Sequence, residues 1–384
     1  MIDKITIYKH ISVDITVFDS KWNEIRNNIN EIVGYRIYIK HIEIQYYSKS
    51  KTLIINGRLN NILSSSTIDR IKNFDDTWTG DIESKQDLDT VIDRVNQLLF
   101  ELLKINTNIL EFNLSYIEIC CNISLQSQRA VEQYIILFNN SISLQEKKRM
   151  VNFVDEKNKS KQSSCYIKTY ASYRDKNKYN YQLNYYNKYE QLNNLKKQYT
   201  IPESEIEKAK NILRMELQIG CRKLKAEREK YHINKQLKDF DFFQCKQLII
   251  DYYSRFICKN YNPYVKYVSY ETAKKIIDAN APDPRLMEYI KYIAKYNKLN
   301  QKSDTTNRKY IKKLFATGLH FCFMPKQWNI DMLTSPITLL DEKIKENQKL
   351  RYTYQNQLID TDNKLQYINL GKGQNDDISK LFNK

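Results

Sequence analysis

The chain has 384 residues, 41% hydrophobic and 28% charged, which is enough apolar material for a large core and excludes wholesale disorder. Lys and Arg number 62 against 45 Asp and Glu, a formal net charge of +17. No stretch approaches the roughly 18 consecutive apolar residues that span a bilayer, so no membrane partner is expected.

The excess charge is unevenly spread. Residues 1–150 carry 18 basic and 19 acidic side chains, whereas residues 151–384 carry 44 and 26. A general lysine bias would be uniform, so the asymmetry points to a polyanionic partner met by the later part of the chain. The seven cysteines form no CxxC pair, which argues against a structural zinc site. The start lacks the apolar block of an export signal, so these thiols are expected to be reduced.

In chain order, residues 3–9 alternate as a first strand. Residues 35–46 alternate again and are joined by SKSK to the run TLIING, which predicts a hairpin. Residues 89–104 place Val91, Val95, Leu98, Leu99 and Leu102 on one helical face. Leu114–Cys121 reads as a strand, followed by a helix from a Ser124 cap to about residue 138. Residues 156–198 hold ten basic and three acidic side chains interleaved with tyrosines. They read as a hairpin around RDKNK, with rings able to stack on unpaired bases. A short helix opens at Pro202, and Ile212–Ile219 is a strand running into a basic helix. From Pro263 onward the pattern is helical: 272–279, 284–296, and a third helix from a Ser303 cap to Gly318. No internal repeat stands out. The fold class expected is α+β, with helices packed on an antiparallel sheet.

Two carboxylates interrupt apolar strands: Glu118 in LSYIEICC and Glu216 in ILRMELQI. A charge there is costly unless paired or metal-bound; the plainer alternative is that Glu118 points outward, or that Glu216 forms a structural bridge with Arg214 or Lys223. On neighbouring strands the two would make a hard-oxygen site suited to Mg²⁺ or Mn²⁺. A tyrosine block, Tyr185-Tyr186-Asn187-Lys188, supplies an oxygen that can attack phosphorus if a cation stabilises its anion. Tyr186 and Lys188, two apart, would share a face if the strand runs through both. Adjacent strand residues face opposite ways, so only one of Tyr185 and Tyr186 can face the acids, and the sequence leaves the register open. His41 and Glu43 on the first hairpin would share a face and are candidates for a third ligand.

Taken in order, these blocks resemble the phage and plasmid replication initiators typified by the gene-two protein of filamentous phages. The opening Met1-Ile2-Asp3, LIINGRL, SYIEICCNIS, NYYNKYEQL, NILRMELQIGCRKLK and the late SDTTNRKYIKKLFATGL carry the resemblance. It is tightest between about residues 114 and 225. The chain departs from the family pattern in having Glu118 for an aspartate, Tyr116 for the arginine before it, and Gln218 for a frequent arginine. The resemblance implies a nickase palm over residues 1–225, a helical connector over 226–265, a helix-turn-helix-like DNA-binding domain over 266–336, and a polar helix and tail over 337–384. It implies Tyr186 as nucleophile with Lys188 beside it, and Glu118 and Glu216 holding Mg²⁺ or Mn²⁺. DNA is the expected partner, single-stranded or hairpin at the nick and duplex at the C-terminal helices, with Lys176, Lys178, Arg214, Arg222, Lys223, Arg308, Lys309, Lys312 and Lys313 as contacts. The activity implied is nicking and strand transfer that starts rolling-circle replication in a bacterial cytoplasm, with a host polymerase. No GxxxxGK[ST] loop is present, so unwinding falls to a host helicase. A conjugative relaxase, or a DNA-binding repressor without enzymatic activity, are the rival readings.

Overall fold

The computed structural model describes residues 2–39, 42–58, 62, 85–141, 150–151, 164–170, 179–231, 234–239, 242–280, 282–296, 304–342 and 345. The strands are β1 (Ile2–His10), β2 (Asn23–Arg26), β3 (Ile32–Ile39), β4 (Ile42–Tyr47), β5 (Thr52–Arg58), β6 (Asn113–Ser124), β7 (Met150–Val151), β8 (Ser164–Tyr170), β9 (Tyr179–Asn187) and β10 (Ile212–Ile219). They form one antiparallel sheet in the order β2-β3-β4-β5-β1-β6-β10-β9-β8-β7. Two short strands, β11 (Tyr267–Val268) and β12 (Met332–Leu333), pair separately. The helices among the described residues are α1 (Lys85–Leu103), α2 (Gln128–Ser141), α3 (Lys188–Leu195), α4 (Glu203–Lys208), α5 (Cys221–Tyr231), α6 (Phe242–Phe256), α7 (Tyr270–Asn280), α8 (Pro284–Tyr296) and α9 (Asp304–Ala316). The architecture is α+β, as the alternation of patterns implies.

Two boundaries differ from the periodicity. The run 35–46 is not one strand: it is split between β3 and β4, with Ile39 opposite Ile42. The apolar phase slips by one between Ile39 and Ile42, and that slip marks the break. The strand around Glu118 runs on to Ser124, and the side chain that caps α2 is Ser127, whose Oγ accepts from the Ala130 amide at 3.2 Å. Gly318 adopts φ +76° at the end of α9, the left-handed conformation expected of a glycine stop.

Period-2 alternation gives the sheet two unlike faces. Ile5, Ile44, Ile55, Ile117, Leu183, Tyr185, Met215 and Leu217 are buried on one of them. Helices α2 and α6 pack on it: Phe138 meets Tyr185 edge-on at 5.1 Å, and Tyr252 meets Tyr181 at 4.9 Å. Fully burying one such large side chain contributes roughly 1.5–3 kcal/mol. The other face is polar. Met1–Ser335 form one compact unit and Pro336–Lys384 a second, so the boundaries expected at 225 and 265 fall inside the first unit. Of the second unit, residues 336–342 and 345 are described and are helical. Among the described residues, no helix is long and apolar enough to cross a membrane.

His320 is a core residue. It has no exposed surface; Nε2 donates to the Ile257 carbonyl at 3.0 Å, and Nδ1 accepts from the Cys322 amide at 3.1 Å. Burial holds its pKa at about 3, against 6.5 for an ordinary histidine. The unfolded chain therefore takes a proton in this window that the folded chain refuses, and stability falls as pH drops from 6.5 toward 3. We expect this residue alone to cost about 1.5–2 kcal/mol between pH 6.5 and about pH 5. Urea unfolding at the two pH values, compared with His320→Asn, measures it; an equal pH dependence in the variant would contradict it.

Candidate active site

The polar face gathers the chemistry by register. Reading β6, β10 and β9 across, one rung is Asn122–Arg214–Tyr186, the next Cys120–Glu216–Asn184, and the next Glu118–Gln218–Gln182. Cross-strand partners share a face, so Glu118, Glu216, Arg214 and Tyr186 all project to the same side. Tyr185 projects to the other side, against Phe138. The register left open by the sequence is thus fixed: Tyr186 is the tyrosine beside the acids.

A third acid joins them. In β1, Ile2 pairs with Ile119 and Lys4 with Glu118, so Asp3 is an extra residue at a β-bulge. Bulges re-aim side chains. This one turns Asp3 toward Arg214, whose Nη2 lies 3.0 Å from Asp3 Oδ2. Asp3, Glu118 and Glu216 are 2%, 6% and 5% exposed, and one carboxylate oxygen from each lies within 4.8 Å of the others.

Arg214 organises the cluster. Its Nε donates to Glu216 Oε1 at 2.8 Å and its Nη1 to Asn122 Oδ1 at 3.0 Å. The hydroxyl of Tyr186 donates to the same Glu216 Oε1, and Asn184 Nδ2 donates to Oε2 at 3.1 Å. Tyr116, which stands where the resembled family has arginine, donates its hydroxyl to Glu118 Oε2 at 3.1 Å. Arg58 lies 3.8 Å from Asp3 Oδ2.

The electrostatics follow from burial and crowding. Burial opposes ionisation of Asp3, but Arg214 and then Arg58 outweigh it and hold the carboxyl at about 2. Burial, then the carboxylates of Glu216 and Asp3, push Glu118 well above the usual range, and Glu118 shares a hydrogen bond with Asp3. Burial and the neighbouring Glu216 push the Tyr186 phenol well up. Burial, then Arg214, bring Lys188 down to about 8. Carboxylates this close suit a hard divalent cation, which would take the place of the proton on Glu118. Asp3 Oδ2 is buried and ion-paired with Arg214, so an ion held by the three acids would share that oxygen with the guanidinium.

The other expected residues divide. Lys188 is not on the strand: Asn187 Oδ1 accepts from the Glu190 amide and starts α3, so Lys188 is the first helical residue. It is 3% exposed and donates to Gln191 Oε1 at 2.9 Å. Arg214, expected as a nucleic-acid contact, is 2% exposed and binds two carboxylates; sheet pairing buries it. Arg222 is exposed on α5, and Lys223 pairs with Glu227 at 2.7 Å. Arg308, Lys309 and Lys312 are exposed on α9, whereas Lys313 pairs with Asp283. Lys176, Lys178 and His41 lie outside the described residues. Glu43, with His41 a candidate third ligand, bonds Tyr38 and Asn56, and among the described residues the third acid is Asp3. In the sequence, Asp3 sits in phase with Ile5 and Ile7, an acid at a position where the alternation calls for an apolar residue.

No family model, no curated protein and no solved structure matches the chain. The chemistry of the cluster has to be judged on its geometry: a phenol hydrogen-bonded to a carboxylate, two further acids positioned to share a cation, and a buried amine whose charge can change near neutral pH.

Proposed function

We propose that the chain is a metal-dependent DNA nickase and strand transferase that initiates rolling-circle replication. The observation that carries this reading is the hydrogen bond from the Tyr186 hydroxyl to Glu216 inside a three-carboxylate cluster. The basic surplus of the later chain and the resemblance of the sequence blocks to rolling-circle initiators support DNA as the substrate. In this reading the sheet is the nickase palm. Helices α7–α9 form the helix-turn-helix-like element that grips duplex origin DNA, with Arg308, Lys309 and Lys312 on its open side.

A divalent ion on Asp3, Glu118 and Glu216 would draw charge from the scissile phosphate and offset the repulsion that keeps Tyr186 protonated. Tyr186 Oη forms the new bond to phosphorus as its proton passes to Glu216, which already accepts it as a hydrogen bond. The bond from phosphorus to the 3′ oxygen breaks, and that oxygen takes a proton from Lys188. A pKa of about 8 suits a group that must give up a proton near neutral pH. The products are a 5′-phosphotyrosine link and a free 3′-OH for a host polymerase. The link retains a phosphodiester, so a later 3′-OH can reverse the step and close a circle without ATP.

The test is incubation with 5′- and 3′-labelled single-stranded origin oligonucleotides and Mn²⁺. Expected is a protein–DNA band that survives boiling in detergent, carries the label 3′ of the nick, and is absent with EDTA. Duplex binding with no covalent product across origin candidates would instead favour a repressor.

A further inference from the structure

The sheet contains a second copy of the unit that builds the site. Read outward from the seam between β1 and β6, one half runs β1-β5-β4-β3-β2 and the other β6-β10-β9-β8-β7. Each is a first strand followed by the fifth, fourth, third and second strands of its own half. The seam carries one bulged residue on each strand: Asp3 in β1, and Ser115 in β6, skipped where Thr6 pairs with Tyr116 and Ile7 with Leu114. Setting Asp3 on Ser115 sets Thr6 on Glu118 and His10 on Asn122. The rung His10–Thr52–Tyr47 then falls on Asn122–Arg214–Tyr186, and Tyr46-Tyr47-Ser48-Lys49 on Tyr185-Tyr186-Asn187-Lys188. Bulges and sequence agree on one register, which corrects the expectation of no repeat.

The copy keeps the tyrosine and the lysine and lacks the acids of the cluster; the carboxylate on its face, Glu43, lies opposite Tyr38 and is held by Tyr38 and Asn56. Ile54 stands for Glu216, Thr6 for Glu118 and Thr52 for Arg214. It therefore has no means of holding a cation as the site does, yet its polar face is open. Tyr38 is 53% exposed, with the Arg36 guanidinium 5.7 Å from its ring centre, and Arg36 and Lys49 are exposed. The face continues across the seam into the acid cluster, since Lys4 pairs with Glu118.

We infer that this copy, which lacks the acid cluster, is a non-cleaving binding face for single-stranded DNA, holding the strand that leads to the nick. An exposed ring beside a guanidinium, with a further exposed lysine just past the end of β4, suits a stacked base and its phosphates. From β9 to β3 is six inter-strand steps, about 30 Å, so the face serves nucleotides several positions from the scissile phosphate. The inference rests on the nickase reading for its role and on the face alone for its chemistry.

The experiment is fluorescence anisotropy of the full chain with a labelled dT oligonucleotide of about twenty residues in EDTA, where no chemistry occurs. Arg36→Ala with Tyr38→Ala is expected to weaken binding about tenfold or more and to reduce the salt dependence by about one ion. Tyr38→Phe, which keeps the ring, is expected to bind more tightly than Tyr38→Ala, and Lys49→Glu more weakly than wild type. Wild-type affinity in both the double variant and Lys49→Glu, or equal affinity for a duplex of the same length, would overturn the inference. Joining to a short oligonucleotide spanning only the nick separates the two ideas. If the double variant joins it normally but has lost dT binding, both stand. If wild type never joins DNA yet needs Arg36 and Tyr38 for dT, only the nickase reading fails.

Discussion

Tyr186→Phe is expected to abolish covalent joining to DNA, a loss of about 10⁴-fold or more, the scale seen when a covalent nucleophile is removed. Tyr185→Phe is expected to keep the rate within about tenfold, because that side chain is on the helix-covered face against Phe138 and affects the site only through packing. The contrast is sharp because the two residues are chain neighbours with the same functional group, separated only by the pleat. Folding should not confuse the result. In Tyr186→Phe, Glu216 keeps the Arg214 and Asn184 hydrogen bonds, so stability should shift by no more than about 1 kcal/mol. Quantifying the adduct after denaturing electrophoresis, with thermal melts of both variants alongside, checks the pair. Full joining by Tyr186→Phe would remove the proposed nucleophile.

Arg214→Met should produce the largest loss of stability. The guanidinium bonds Asp3, Glu216 and Asn122 from a position 2% exposed. Removing it leaves buried carboxylates without their nearest compensating charge, a change that typically costs about 3–5 kcal/mol. The same crowding makes a specific metal effect. Mn²⁺ should raise the midpoint of urea unfolding in the variant by more than in wild type, because the ion supplies the positive charge the arginine provided, and binding to the folded state alone adds stability. A variant as stable as wild type in EDTA would mean that the acids do not depend on Arg214. A variant insensitive to Mn²⁺ would argue that they do not form a cation site.

Much of the fold was legible where one rule acts alone. β1, β6, β10 and the β4–β5 hairpin follow from strict alternation, and Gly318 ends α9 as a left-handed stop should. Glu118 and Glu216 could be read because an acid in an apolar strand needs a partner. What escaped was set by pairing rather than by local pattern. Asp3 reaches the cluster through a bulge, which only the register of β1 against β6 defines. Arg214 reads from sequence either as a phosphate contact or as a bridge to Glu216, because charge in a sequence carries no record of burial; its neighbours Asn122 and Tyr186 on adjacent strands decide for the bridge. The spacing of Tyr186 and Lys188 places both on one face only if the strand continues, and it ends one residue before Lys188, at an asparagine whose side chain caps a helix. The repeat was hidden because its halves share little beyond a Tyr-Tyr-x-Lys run, while the strand order that reveals it exists only in three dimensions.

The most direct measurement is to digest the detergent-stable adduct with trypsin and nuclease and locate the residual nucleotide by mass spectrometry. The account predicts a phosphodiester-linked nucleotide on the peptide containing Tyr186, with fragmentation placing it on that residue, and no such peptide when the reaction contains EDTA. A nucleotide on Tyr185 or Tyr47, or an adduct that forms equally well with chelator present, would contradict it.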